Sequence, residues 1–175
     1  TPLIKFRACR DVRKIAGDAM EIRGGCGYIE EWLDPKILRD AHLGSIWEGT
    51  SNIISLDTVR ALKKADNINI LKNFLINLVQ EKSIKENEKV LLSTIDDVFN
   101  FVFQEINDDY EASSRQITSL LYYLCAAVFL NSESYHCTTL YNRKKISELI
   151  IKYKINESNP LQRNEIDYEL VNEYL

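Results

Sequence analysis

Proline and glycine are the scarcest structural residues in this chain, three and six of 175. That scarcity excludes collagenous and low-complexity character, and it leaves few natural breaks for a turn-rich fold. No run of about 18 apolar residues occurs, so no segment reads as a membrane-spanning helix. The four cysteines (Cys9, Cys26, Cys125, Cys137) show no Cys-x-x-Cys spacing, and His42 and His136 are the only imidazoles. No metal site is expected from so few and so scattered ligands, and reduced thiols are the simplest state for the cysteines. His136-Cys137 is an adjacent pair with no second pair to complete it. The opening Thr1-Pro2-Leu3-Ile4-Lys5 carries neither an initiator methionine nor a signal-peptide pattern.

What is present is ordinary globular material. Hydrophobic residues make up 45% and aromatics 10%, so disorder as the main state is excluded. The formal charge is -4, unevenly placed. Residues 1–65 hold eleven Lys/Arg against nine Asp/Glu, and residues 66–175 hold eleven against seventeen. A nucleic-acid binder carries a basic stripe that displaces counterions from phosphate. The one candidate, Arg143-Lys144-Lys145 continued by Lys152 and Lys154, reads more simply as a solvated helix face, and the acidic second half argues against DNA.

Helical periodicity dominates, and the fold class is all-α, a helical bundle. Residues 3–23 read as one helix stopped by Gly24-Gly25. Residues 26–34 read as loop, and Pro35 suits the first turn of a short helix over 35–43. Thr50 or Ser51 can cap a helix with Ile53, Ile54, Leu56, Val59 and Leu62 on its buried face. A soft boundary falls at 64–69, dividing the chain into segments 1–65 and 66–175. Ile70, Leu71, Phe74, Leu75, Leu78 and Val79 form the next stripe, interrupted near Glu81–Glu88. A third stripe runs from Leu91 to Ile106 and breaks at Asn107-Asp108-Asp109. Residues 112–130 and 138–153 are further helices, followed by a turn at 156–160 and a last helix over 164–174. Tyr122, Tyr123 and Phe129 are expected to pack.

Two segments hold residues of low structural value. Gly24, Gly25 and Gly27 fall within four positions, and Glu48-Gly49 stands directly before a helix. Glycine frees the backbone for positive φ or for close approach to a ligand. A helix beginning at Thr50 turns free N–H groups and its positive dipole end toward an anion or an oxygen-rich cofactor. Glu48 held against Trp47 and away from water would be shifted toward the working range of a general base. A helix-start acid with turn glycines is the plainer alternative, and composition alone leaves both open.

In order and in spacing, Ala19-Met20-Glu21-Ile22-Arg23-Gly24-Gly25-Cys26-Gly27-Tyr28, Leu38-Arg39-Asp40-Ala41 and Ile46-Trp47-Glu48-Gly49-Thr50-Ser51-Asn52-Ile53, closing at Arg60, resemble the C-terminal helical domain of acyl-CoA dehydrogenases. Trp47 before the Glu, and Leu56-Asp57-Thr58-Val59-Arg60 after it, are most similar to the AidB-like subgroup. That subgroup carries an added helical tail, which residues 66–175 would represent, with a loose likeness around Ser114–Leu130.

The resemblance implies an FAD-dependent enzyme acting on acyl-CoA. Glu48 matches the family's catalytic base, which takes the α-proton of the thioester while a β-hydride passes to flavin N5. The backbone N–H of the same Glu and a ribityl hydroxyl would support the thioester oxygen. Trp47 and Gly49 take substrate-side positions, with Trp47 lining the acyl pocket. Thr50 and Asn52 match contacts to FAD at the helix start. Glu21, Gly24 and Gly25 match the segment touching the adenosine end, often a neighbouring subunit's, which implies a homo-oligomer, dimer or tetramer. Arg39, Asp40 and Arg60 are expected to form ion pairs that fix the loop holding Glu48. Glu21 stands where many members have Gln, and Cys26 replaces a common Asn.

The family's N-terminal helical and central β-domains have no counterpart in the sequence. The expectation is therefore a C-terminal fragment of a larger enzyme, inactive alone. Its parent would use an electron-transfer flavoprotein or similar acceptor and reside in a bacterial cytoplasm or a mitochondrial matrix. The alternative is a non-catalytic AidB-like module for oligomerisation or nucleic-acid contact.

Overall fold

A computed structural model of the chain describes residues 1–64, 66–82, 85–108, 110–134 and 141–156. The His136-Cys137 pair, the turn beyond Asn156 and the helix expected over 164–174 lie outside the described residues, as do the side chains of Arg143 and Lys144. Among the described residues all regular structure is helical. In chain order the helices are α1 (Pro2–Ile22), α2 (Gly25–Tyr28), α3 (Asp34–Leu43), α4 (Ser51–Leu62), α5 (Asn67–Lys82), α6 (Lys85–Asn107), α7 (Tyr110–Ser134) and α8 (Tyr141–Ile150). A π-helical turn, Ile151–Asn156, continues α8. No helix among them is long and apolar enough to cross a membrane.

The breaks follow local chemistry. Helix α1 begins with Pro2, whose missing N–H costs nothing in a first turn, and ends where Gly24 takes φ 60° and ψ -140°. Residues 26–28, the start of the segment expected as loop, instead belong to a helical turn that restarts at Gly25 directly after Gly24. Helix α3 places Asp34 and Pro35 at its N-terminus, favourable to dipole and backbone alike. Between α4 and α5 Asp66 adopts φ 59°, a left-handed position that Asx residues tolerate better than others. The interruption expected around Glu81–Glu88 falls where α5 ends at Lys82 and α6 begins at Lys85, the polar residues 85–88 forming the first turn of α6.

The chain divides into two compact units, Thr1–Leu71 with Val102–Tyr122, and Lys72–Phe101 with Tyr123–Leu175. In the first unit α1 packs on α2, α3 and α4. Its interior includes Phe6, Ala16, Ala41, Ile54, Val59 and Leu62, joined by Val102, Ile117 and Leu121. Helices α4 and α7 meet there through small hydroxyl side chains: Ser55, Ser114 and Thr118 are all buried. Arg115 donates through Nε to the Asn52 side-chain oxygen. Ile53, expected on the buried face, is about half exposed instead. Along α1, Ile4, Val12, Ile15 and Ile22 also stay exposed.

The second unit buries Leu75, Val79, Leu91, Ile95, Val98 and Phe99, together with Leu124, Ala127 and Val128. Ser147 Oγ donates to the Ala127 carbonyl at 2.8 Å, which ties α8 to α7. Phe74 and Phe129, both partly exposed, pair in a tilted arrangement with ring centroids 6.3 Å apart. That spacing lies within the favourable range for aromatic pairs.

Candidate functional site

The turn between α3 and α4 carries most of the residues singled out by sequence. Its first half is wound tightly, with the N–H groups of Ile46 and Trp47 both donating to the Leu43 carbonyl at 2.9 Å. Its second half reverses hand: Glu48 has φ 54° and Gly49 φ 106°. Glycine is at home there, but a glutamate in the left-handed region costs on the order of 1–3 kcal/mol. Thr50 then takes an extended backbone as the N-cap of α4, though its hydroxyl makes no capping bond.

Helix α1 braces this turn at two points one helical turn apart. Lys5 Nζ donates to the Trp47 carbonyl at 2.6 Å and to the Gly49 carbonyl at 3.4 Å. The Cys9 carbonyl accepts from Ser45 Oγ at 3.2 Å. A Cβ on Gly44 would come within 3.0 Å of the Cys9 sulfur, so the turn also needs a small residue at its entry.

Trp47, Glu48, Gly49, Thr50 and Asn52 are therefore brought together on one turn and the first turn of the helix after it. Trp47 is 65% exposed and Glu48 is exposed as well. This corrects one expectation: within this chain the Trp47 ring does not shelter the carboxylate from water. Ile46 in the same turn and Ile53 in the first turn of α4 are exposed as well.

Glu21, Gly24 and Gly25 form a separate exposed group at the junction of α1 and α2. Glu21 lies sixteen residues along α1 from Lys5, about 24 Å at 1.5 Å per residue. The two groups do not converge on one point. Beside the second lies an open pocket of about 500 Å³, lined in part by Met20, Tyr28, Ile29, Pro35, Leu38 and Arg39. Gly27 is buried against α1: a Cβ there would sit 2.2 Å from the Met20 carbonyl oxygen. Gly25 has nothing within 4 Å and no positive φ, so the fold places no demand on it.

The ion pairs differ from expectation. Arg39 binds Glu30 at 2.7 and 3.1 Å, and that hydrogen-bonded guanidinium holds the Glu30 carboxyl below its ordinary range. Arg60 pairs with Asp57 within α4, and Asp40 forms no ion pair among the described residues. Among the described residues, neither arginine forms a hydrogen bond or ion pair with the Glu48 turn. The Arg23–Asp34 pair at 3.0 Å, with Arg23 also over the Trp32 ring, closes the α2 segment instead. Sequence reasoning missed Lys5, for no local pattern links residues 42 positions apart. Among the described residues no group of His, Cys, Asp and Glu side chains could hold a metal ion.

Comparison with known proteins gives a similarity over the first third of the chain. The profile described as "Acyl-CoA dehydrogenase, C-terminal domain" matches residues 1–63. Residues 1–63 are thus similar to the C-terminal domain of acyl-CoA dehydrogenases. The chain is 44% identical over 64 residues to the "Putative acyl-CoA dehydrogenase AidB" of Escherichia coli (strain K12), covering 37% of this chain and 12% of that protein. "Acyl-CoA dehydrogenase family member 11" of Caenorhabditis elegans is 33% identical over 90 residues, 51% of this chain and 15% of that protein. A match of 90 residues outruns the 63 of the profile, so it reaches beyond residue 63. "Isobutyryl-CoA dehydrogenase, mitochondrial" of Dictyostelium discoideum is 31% identical over 64 residues, 37% of this chain and 15% of that protein. The chain thus spans about an eighth to a seventh of these relatives. No solved structure matches.

Proposed function

We propose that this chain is the C-terminal portion of an FAD-dependent acyl-CoA dehydrogenase in which Glu48 removes the α-proton of an acyl-CoA thioester. The observation that carries the reading is the Glu48 backbone. A surface glutamate is held in a costly left-handed conformation, between an exposed tryptophan and a glycine, at the mouth of a helix. Nothing in the packing of the turn requires a glutamate there, whereas a base that must present its carboxylate at a fixed angle does.

The residues fit the cofactor as a partial surface. Gly25 is a glycine that this fold does not need, which is the signature of room kept for something outside the chain. The first-turn N–H groups of α4 lack a side-chain cap and favour an electron-rich partner. Thr50 and Asn52 would hold FAD at that helix start, and Glu21, Gly24 and Gly25 would hold an adenosine end. The separation of about 24 Å along α1 suits contacts to two cofactor molecules in a homo-oligomer, dimer or tetramer. Bound FAD would supply the two-electron acceptor for the β-hydride.

The chemistry left to this chain is proton transfer. A thioester α-proton is weakly acidic, so the carboxylate must be placed within hydrogen-bond reach of it and the site closed to water. Trp47, Ile46 and Ile53 would form the apolar wall once the rest of the enzyme covers them, and Gly49 lets the acyl chain approach the backbone. Residues 1–65 would then be the end of the catalytic helical domain, and 66–175 an AidB-like helical extension. An electron-transfer flavoprotein or similar acceptor follows from the same reading, as does residence in a bacterial cytoplasm or a mitochondrial matrix.

The test uses the full-length parent. It is expected to purify with bound FAD and to be bleached by saturated acyl-CoA thioesters from butyryl- to palmitoyl-CoA. Glu48→Gln should keep the flavin and lose the bleaching; bleaching at the wild-type rate would overturn the base. The 175 residues alone should bind no flavin in stoichiometric amount.

A further inference from the structure

Two carbonyls flank Glu48, that of Trp47 before it and that of Gly49 after it. Both point to one ammonium group, Lys5 Nζ, at 2.6 and 3.4 Å. No backbone N–H among the described residues donates to either carbonyl. No ion pair joins the Lys5 ammonium to the Glu48 carboxylate among the described residues, so the lysine grips the backbone on both sides of the glutamate and leaves its side chain free. An ammonium suits such a grip, because it has three donors, no acceptor, and a full charge to strengthen bonds to carbonyl oxygens.

The grip falls where the backbone most needs one. Glu48 and Gly49 are consecutive positive-φ residues. A left-handed glutamate relaxes toward the right-handed or extended region unless its surroundings over-determine it. On the α1 side, Cys9 accepts from Ser45 one helical turn along from Lys5 and fixes the entry of the turn but not its reversal. On the α4 side, Ile53 and Ile54 lie 3.2–3.3 Å from a Cβ added at Gly49, and the Ile54 N–H donates to the Thr50 carbonyl at 3.0 Å, which fixes the exit of the turn but not its reversal. The reversal itself is held by Lys5.

We propose that Lys5 is the positioning residue of Glu48: by bonding the carbonyls of Trp47 and Gly49 it locks the left-handed turn that aims the carboxylate. The inference rests on the reading of Glu48 as the base, but its structural half stands apart and is measured apart.

The experiment takes the full-length protein as Lys5→Met, Lys5→Arg and Glu48→Gln. Amide exchange is followed by mass spectrometry over the peptide spanning 44–50, beside flavin content, flavin spectrum and flavin reduction by the butyryl- to palmitoyl-CoA series. In Lys5→Met, exchange over 44–50 is expected to rise at least about tenfold while peptides from α6 keep wild-type protection. Flavin content stays unchanged, and flavin reduction slows about 10–100-fold with the half-saturating acyl-CoA concentration unaltered, because misplacement costs rate rather than binding. Lys5→Arg, which keeps the charge and the donors, recovers both readouts to within about tenfold of wild type.

Wild-type exchange over 44–50 in Lys5→Met overturns the proposal, and so does a slower reduction that accompanies loss of protection everywhere. Should Lys5→Met fail to fold, Lys5→Gln is measured by the same criteria. Glu48→Gln that still reduces flavin overturns the base assignment alone; the exchange data then continue to decide whether Lys5 holds the turn.

Discussion

The hydroxyls of Ser55 and Ser114 lie 3.2 Å apart inside the first unit, with Ser55 fully buried and Ser114 nearly so. Ser55 lies within residues 1–63, which the family profile matches, and Ser114 lies beyond them. Each hydroxyl also bonds a carbonyl of its own helix, Asn52 for Ser55 and Glu111 for Ser114. A hydroxyl has one proton, so only one of the pair can donate to the other at a time. Small polar side chains let α4 and α7 approach closely without burying an unsatisfied group.

A double-mutant cycle at this pair should therefore show coupling. Ser55→Ala and Ser114→Ala are each expected to cost about 1 kcal/mol, and the double variant less than their sum by about 0.5–1 kcal/mol. Urea unfolding followed by circular dichroism measures all three. Ser55→Leu overpacks the same contact and should cost about 1–3 kcal/mol.

The three glycines near 25 should separate by cause. Gly27→Ala drives a Cβ to 2.2 Å from the Met20 carbonyl oxygen and is expected to cost about 3 kcal/mol. Gly24→Ala has open space but keeps φ 60° and ψ -140°, so about 1–3 kcal/mol is expected from backbone strain alone. Gly25→Ala meets neither obstacle and should change stability by no more than about 0.5 kcal/mol. In the full-length parent the same Gly25→Ala should lower FAD occupancy. Unaltered occupancy there would remove Gly25 from the cofactor surface.

Cys125 supplies a pH test. Burial raises its thiol from near 9.0 to about 11, because the thiolate is poorly solvated there. Between those values the unfolded chain has lost the proton and the folded chain retains it. Stability is therefore full below about pH 9 and falls as pH rises toward 11, by up to about 3 kcal/mol. Urea midpoints at pH 8 and pH 10.5 should show that loss in the wild type and less of it in Cys125→Ala. Alkylation at pH 8 should reach the exposed Cys26 well before Cys125.

Asp66 offers a control for left-handed strain away from the site. Its φ of 59° carries the penalty of any L-residue in that region, partly offset by the bond its carboxylate accepts from Asn69. Asp66→Gly should lie within about 1 kcal/mol of wild type, and Asp66→Val, which loses the bond and adds a β-branch, should cost about 2 kcal/mol. Thermal melting of the 175-residue chain distinguishes them.

The helical character and most helix ends were legible because they are local. Gly24, Pro35, Thr50 and the Asn107-Asp108-Asp109 break act within one turn of their own position, and α1, α3, α4 and the start of α7 follow from them. The turn at 25–28 was not legible, because whether a chain restarts a helix after glycine depends on what α1 and α3 leave room for. Side-chain exposure was legible only in part. Leu75 and Val79 are buried as their period requires, whereas Ile53, Ile70 and Phe74 of the same stripes are not.

The sequence by itself determined the helices, the residue types gathered around Glu48 and their order, which were enough to carry the family resemblance. Tertiary structure decided how those residues are held. Helix α1 brings Lys5 and Cys9 to a turn about 40 residues away, takes the supporting role expected of Arg39 and Arg60, and stabilises the left-handed φ of Glu48. It also left Trp47 open to solvent rather than folded over the carboxylate. Periodicity and capping are read from neighbours in the chain; a contact between residues 42 apart exists only after helices have packed.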